Sequence, residues 1–183
     1  GIAGYYAMMA LEQNMIGVSL TNSEALIAPT FGKKRGLGTN PIAVAVPSGK
    51  ERPYVLDMAT SIKPLGRVLI HEALGKQIPL GWGIDPDGNL TQDPKQVHEG
   101  GAVLPLGGTE EMSGYKGYGL SLLVDILSGV LSGGGFGLDV GSPLATEGNI
   151  ANVGHFFMAI NIESIRPLSE FQTDMDTLIQ QIK

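Results

Sequence analysis

Lys116 stands in Tyr115-Lys116-Gly117-Tyr118-Gly119, directly before a stretch in which Leu120, Leu123, Val124, Leu127, Val130 and Leu131 recur at helical spacing. A lysine in the first turn of a helix, where free N–H groups and the dipole already favour an anion, suits a phosphate. Its flanking glycines would let a pyrophosphate approach the backbone with no Cβ in the way. Three further polar clusters, Thr21-Asn22-Ser23, Gly38-Thr39-Asn40-Pro41 and Asp57-Met58-Ala59-Thr60-Ser61, each end or begin an apolar stretch, which is where α/β proteins gather ligand-binding groups. Asp57 could accept hydrogen bonds from a ribose or orient a reacting group. Each cluster also has a plainer reading: Thr39 and Asn40 as an Asx turn before Pro41, Ser61 as a helix N-cap, Asp57 as a cap of the helix that follows it, Lys116 as a solvated side chain.

Other chemistries find no support. Gly133 and Gly135 start the dinucleotide spacing G-x-G-x-x-G, but Leu138 stands where its last glycine belongs, and no phosphate-loop Lys-Ser or Lys-Thr pair occurs. Asp85, Asp87 and Asn89 resemble a calcium loop. Pro86 interrupts it, Gly88 is displaced and Gln96 replaces the bidentate Glu, so the segment reads as a turn. The three histidines, His71, His98 and His155, are scattered, so no metal site is expected, and His155 within VGHFFMAINI reads as a core histidine. No G-x-S-x-G elbow marks a hydrolase, and zero cysteines exclude thiol chemistry, thiolate metal sites and disulfides.

The elements that must position these clusters follow from periodicity. Tyr5 to Leu11 is helical up to Asn14; Met15 to Leu20, Pro41 to Val46 and Arg52 to Met58 read as strands. Ile62 to Leu74 is helical with Gly75 as its C-cap, Asp93 caps a short helix, the Leu120 stripe marks a helix central to the core, Val153 to Ile162 is a strand, and Leu168 to Ile182 is a last amphipathic helix. Irregular alternation of strands and helices predicts an α/β chain with a mixed β-sheet flanked by helices. At 183 residues, with no repeat and no linker, one core is expected.

A net charge of -6, with Lys33-Lys34-Arg35 as the only basic cluster, argues against a nucleic-acid partner. No window reaches the roughly 18 apolar residues of a membrane span, and GIAGYYAMMALEQN lacks the features of a signal peptide, so a cytoplasmic protein with no membrane partner is expected. The chain opens on Gly1 rather than Met, which suggests that the native protein is longer.

Taken together and in order, GIAGYYAMMALEQNMIGVSLTNS, LGTNPIAVAVP, YVLDMATS, IPLGWGIDPDGNLTQDP, LPLGG, YKGYGLSLLVDILSGVLSGG and GHFFMAINIE resemble the type 2 malate/L-lactate dehydrogenase family, among its members most of all the malate dehydrogenases. The resemblance implies a non-Rossmann NAD(P)-binding fold, with residues 1–183 as the central NAD(P)-binding domain of a larger homodimeric oxidoreductase acting on a small 2-hydroxy acid. It implies that Thr21, Asn22, Ser23, Asn40, Asp57, Met58, Ala59, Tyr115, Lys116 and Gly117 line NAD or NADP, with Lys116 on a phosphate. Thr39 and Asp57 take supporting catalytic roles, Thr39 and Asn40 lying near substrate and nicotinamide. The departures also matter. The family's acid/base histidine belongs to a Ser-Asn-His segment preceding the position of Gly1, a second functional histidine is N-terminal to that, and a C-terminal Gly-His-Glu contact is absent; Tyr115 stands where many members have His. The isolated chain is therefore expected to be catalytically weak or dead, and the competing reading is a non-catalytic nucleotide-binding or interaction module. The choice of NAD or NADP turns on whether Lys33, Lys34 or Arg35 meets a 2'-phosphate.

Overall fold

The first helical pattern stops where Asn14 turns left-handed, φ 54°, a conformation that asparagine tolerates better than most residues. In the computed structural model, which describes residues 2–142 and 150–183, α1 (Ala3–Met9) and a 3-10 turn precede that asparagine and β1 (Met15–Thr21) follows it. Then come β2 (Ile42–Val46), β3 (Tyr54–Met58), α2 (Leu65–Ala73), β4 (Gly83–Ile84), α3 (Pro94–His98), β5 (Ala102–Val103), α4 (Gly114–Asp125), β6 (His155–Asn161) and α5 (Leu168–Gln181). Composition predicts one core. The chain instead divides into two compact units of interleaved segments, residues 1–20, 42–58 and 156–183 in the first and 21–41 and 59–155 in the second.

The first unit is built on a four-stranded sheet in the order β3-β2-β1-β6, and β2 pairs antiparallel with both β1 and β3. Its helix-bearing face is made of small residues: Ala43 and Ala45 are fully buried, and Gly17 sits opposite Ala45. A Cβ on Gly17 would overlap the carbonyl of Ala7, so α1 lies backbone against backbone on the sheet, with Ala3 and Leu11 flanking the contact. Ile2, the N-cap of α1, has no acceptor, and Asp57 supplies one from β3 by accepting from the Gly4 N–H at 2.9 Å. Asp57 thus caps a helix before it in the chain, not the one after it. The β6 strand lies at the sheet edge and exposes most of its residues, and His155, expected in the core, is exposed at its start.

The β2–β3 turn is held by α5: the Asp176 carboxylate accepts from the Gly49, Lys50 and Glu51 N–H groups at 2.9, 2.7 and 3.1 Å. These bonds, that from Lys50 foremost, hold the Asp176 carboxyl below its ordinary value against the opposing effect of desolvation. A carboxyl lowered in the native state stabilises above its ordinary range and loses that contribution as pH falls through the lowered value. Amide exchange at Gly49, Lys50 and Glu51 should therefore accelerate below about pH 4 beyond its intrinsic pH dependence, and Asp176→Asn should weaken protection there at pH 7. Equal protection in both proteins at neutral pH would count against this clamp.

In the second unit, Val68 of α2, Ile78, Val97 of α3 and Val103 of β5 form one buried cluster, with Ile62, Leu65 and Trp82 against it. Ala28, Ile84, Ala102 and Leu104 form another. Asp93 caps α3 by accepting from the Lys95 N–H at 2.9 Å, as its place before Pro94 predicts. Asp85 accepts from the N–H groups of Asp87 and Asn89, both at 2.9 Å, which makes the calcium-like stretch an Asx turn.

Helix α4 departs from expectation. Of the stripe read as core, Val124 alone is buried; Leu123 is 48% and Leu131 66% exposed. The buried side is the small and polar one, Gly114, Gly117, Ser121, Asp125, Ser128 and Gly129, the last two in a π-helical turn (Ile126–Val130) that continues the helix. The reason is close approach: a Cβ on Gly117 would overlap the backbone of Leu106, and one on Gly129 would press on Gly135 and the Asn22 amide. Large side chains on that side would hold the loops away.

Candidate functional site

The two polar clusters nearest the chain start meet each other and α4 inside the second unit. Ser23 Oγ accepts from the Thr39 N–H at 3.0 Å, and the Ser23 N–H donates to Asn40 Oδ1 at 3.1 Å. Asn40, fully buried with φ 31°, donates through Nδ2 to the Ser121 carbonyl at 2.9 Å. Ser121 Oγ in turn donates to the Gly38 carbonyl, and Thr60 Oγ1 donates to the carbonyls of Thr39 and Asn40, each bond 3.1 Å. A Cβ on Gly38 would overlap the Ser23 carbonyl and Asn40 Oδ1, so this glycine is required by loop against loop.

One helical turn beyond Ser121, Asp125 takes up the other cluster. Asn22 Nδ2 donates to Asp125 Oδ1 at 2.9 Å and to the Gly135 carbonyl at 2.7 Å, while Asn22 Oδ1 accepts from the Gly154 N–H at 2.8 Å. Both ends of the Asn22 side chain are thereby engaged. Thr21 Oγ1 donates to the Gly154 carbonyl at 3.0 Å. What the bonds leave half-buried, with hydroxyl capacity to spare, is the pair Ser23 Oγ and Thr39 Oγ1, 3.4 Å apart.

At the other end of the same helix, Tyr115 and Lys116 are exposed, and Lys116 pairs with no carboxylate among the described residues. Ser121 lies five residues on, about 7 Å along the axis at 1.5 Å per residue. Of the two glycines flanking Tyr118, Gly117 packs on Leu106 and Gly119 has nothing within 4 Å of a Cβ.

Residues 1–183 match the malate/L-lactate dehydrogenase family along their whole length. The chain belongs to that family. It is 53% identical over 184 residues to a malate dehydrogenase of Pyrococcus abyssi, covering 100% of this chain and 50% of that one. It is 42% identical over 188 residues to an L-sulfolactate dehydrogenase of Methanocaldococcus jannaschii, with 100% and 50% covered. The structure of malate dehydrogenase from Pyrococcus horikoshii OT3 superposes with a TM-score of 0.85 at 49% identity, covering 100% of this chain and 48% of that one. The chain spans about half the length of the curated relatives it matches.

Within this chain, Ser23, Thr39 and Asn40 are joined by hydrogen bonds, and Thr21 and Asn22 precede them on a turn tied to Gly154, Gly135 and Asp125. Tyr115, Lys116 and Gly117 share the helix that frames them. Asp57 and Met58 belong to the first unit, where Asp57 is exposed and holds α1, and Ala59 opens a segment of the second. Ser61 is no N-cap: α2 starts beyond it with Pro64 in the cap position, and Ser61 Oγ is buried without a hydrogen-bond partner among the described residues. Arg35 is committed elsewhere, donating to the carbonyls of Gly101, Val97 and His98 at 2.7, 3.1 and 2.8 Å around the C-terminal end of α3, where a cation is favoured. Lys33 and Lys34 remain exposed. Among the described residues no three metal-ligating side chains converge and no helix is long and apolar enough to cross a membrane. Ser121 and Asp125, which tie these loops to α4, are residues that motif reading missed; the available signal was their i, i+4 spacing on the side of the helix away from the leucine stripe.

Proposed function

We propose that this chain is the central NAD(P)-binding part of an oxidoreductase that moves a hydride between NAD(P) and a small 2-hydroxy acid, malate or lactate, and that it works in the cytoplasm as a homodimer. The observation that carries this reading is that α4 holds the Thr21–Ser23 and Gly38–Asn40 loops on one buried polar face and presents at its N-terminal end a lysine that pairs with no carboxylate among the described residues. The residues suit a dinucleotide: Lys116 is a cation without a carboxylate partner among the described residues, Gly119 leaves open space beside it, and the Ser23 and Thr39 hydroxyls keep capacity for a bound polar group.

Lys116 would bind a phosphate oxygen, and Tyr115, Gly117, Thr21 to Ser23, Asn40 and Asp57 to Ala59 would line the rest of the cofactor. When bound, the nicotinamide supplies the hydride acceptor for the alcohol carbon. Thr39, its carbonyl and N–H both fixed, would offer its hydroxyl to the substrate oxygen. The hydroxyl proton needs a base, which the family resemblance assigns to a histidine outside these residues, so the chain alone should bind cofactor without appreciable malate oxidation.

Titrating the chain with NADH and NADPH, following nicotinamide fluorescence, tests this reading. Loss of a charge-assisted phosphate contact in Lys116→Ala should raise the Kd about tenfold or more. A Kd within twofold of the parent would remove Lys116 from the site, and absence of binding by the parent would remove the cofactor site from this chain.

A further inference from the structure

Asp125 occupies an unfavourable place for a carboxylate. It is 5% exposed inside a helix that runs on through the π-helical turn, with no cation beside it among the described residues. What stabilises it is a set of donors: Asn22 Nδ2 on Oδ1 at 2.9 Å and the Gly137 N–H on Oδ2 at 2.7 Å. Asn22 passes the connection on, donating to the Gly135 carbonyl and accepting from the Gly154 N–H. The direction of every bond is fixed, because Gly154 and Gly137 can only donate and the Gly135 carbonyl can only accept. An amide is required at position 22 and an acceptor on both oxygens at position 125.

We infer that Asp125 is a positioning residue for cofactor binding: its buried carboxylate locks the Thr21–Ser23 turn and the Gly135–Gly137 loop to the helix that carries Lys116, so that the two ends of the dinucleotide site keep one spacing. This rests on the reading that Thr21–Ser23 and Lys116 contact the cofactor. Asn22 then acts through its neighbours, since its own amide is fully engaged inside the protein.

Asp125→Asn is the sharpest probe because it preserves shape. Whichever way the new amide turns, its NH2 meets a donor, either Asn22 Nδ2 or the Gly137 N–H. The exchanged pair Asn22→Asp/Asp125→Asn restores a donor–acceptor match at the pair, at Gly137 and at Gly154, but sets a carboxylate oxygen against the Gly135 carbonyl, so the recovery it can give is partial. NADH titration and amide exchange are to be run on all three proteins at a temperature where circular dichroism shows each folded. The expected result is a Kd about tenfold higher in Asp125→Asn, partly recovered in the exchanged pair, with protection lost locally at Ser23, Gly137 and Gly154. A Kd within twofold of the parent, or protection lost evenly across residues 59–155, would reduce Asp125 to a contributor to general stability and overturn the inference. If the parent itself binds no NADH, the cofactor reading of this chain fails, and exchange alone decides: local loss upholds Asp125 as the lock on the turn, even loss overturns it.

Discussion

Replacing Gly38 by alanine is expected to lower the stability of the second unit by about 3 kcal/mol, the sum of an overpacked contact and a weakened buried hydrogen bond. The added methyl would overlap the Ser23 carbonyl, a backbone atom that cannot rotate away, and press on Asn40 Oδ1 and Ser23 Oγ. Relief requires the Gly38–Asn40 segment to move off Ser23, which lengthens the Ser23–Asn40 and Thr39–Ser23 bonds and pulls the Gly38 carbonyl from Ser121. Urea denaturation followed by Trp82 fluorescence, which reports on the second unit, measures the loss. A change under about 0.5 kcal/mol, the ordinary scatter of surface substitutions, would mean that the loop yields freely and frames nothing.

That prediction also explains what the sequence could and could not disclose about Gly38. A small residue before Thr-Asn-Pro is visible as a demand for close approach, but its partner, Ser23, is supplied by a strand end in a different part of the chain. The local signals read true where the physics is local. Asp93 before Pro94 caps α3, Asp85 closes its own turn, and Asn14 ends the first helical segment. The readings that changed depend on distant neighbours. The leucines of α4 read as buried because an apolar stripe on a helix usually faces a core. Here the side that packs is Gly117, Ser121 and Asp125, since what comes against it is the backbone of Leu106 and the side chains of Asn22 and Asn40, all of which need space or hydrogen bonds rather than hydrocarbon. Arg35 reads as one of three basic residues open to a phosphate until the α3 carbonyls, more than sixty residues on in the chain, are seen to occupy its guanidinium.

The other large effect is expected at Asn40, where removing the side chain should cost about 2–6 kcal/mol. The residue is fully buried and both ends of its amide are engaged, so Asn40→Ala leaves the Ser23 N–H and the Ser121 carbonyl without partners at about 1–3 kcal/mol each. Backbone conformation separates this cost from another. Asn40 holds φ 31° immediately before Pro41, a left-handed setting that disfavours alanine and suits glycine. Asn40→Gly loses the same two hydrogen bonds without that strain, so it should be about 1 kcal/mol milder than Asn40→Ala. Asn40→Asp should be at least as harmful as alanine, because its second oxygen would face the Ser121 carbonyl in a buried site. Gly38→Ala and Asn40→Ala strike the same contact, since part of the clash at Gly38 is with Asn40 Oδ1; the double variant should therefore lose less than the sum of the two. Strict additivity, or a glycine variant no better than alanine, would mean that the Asn40 amide and its left-handed backbone do not jointly hold the turn that presents Thr39.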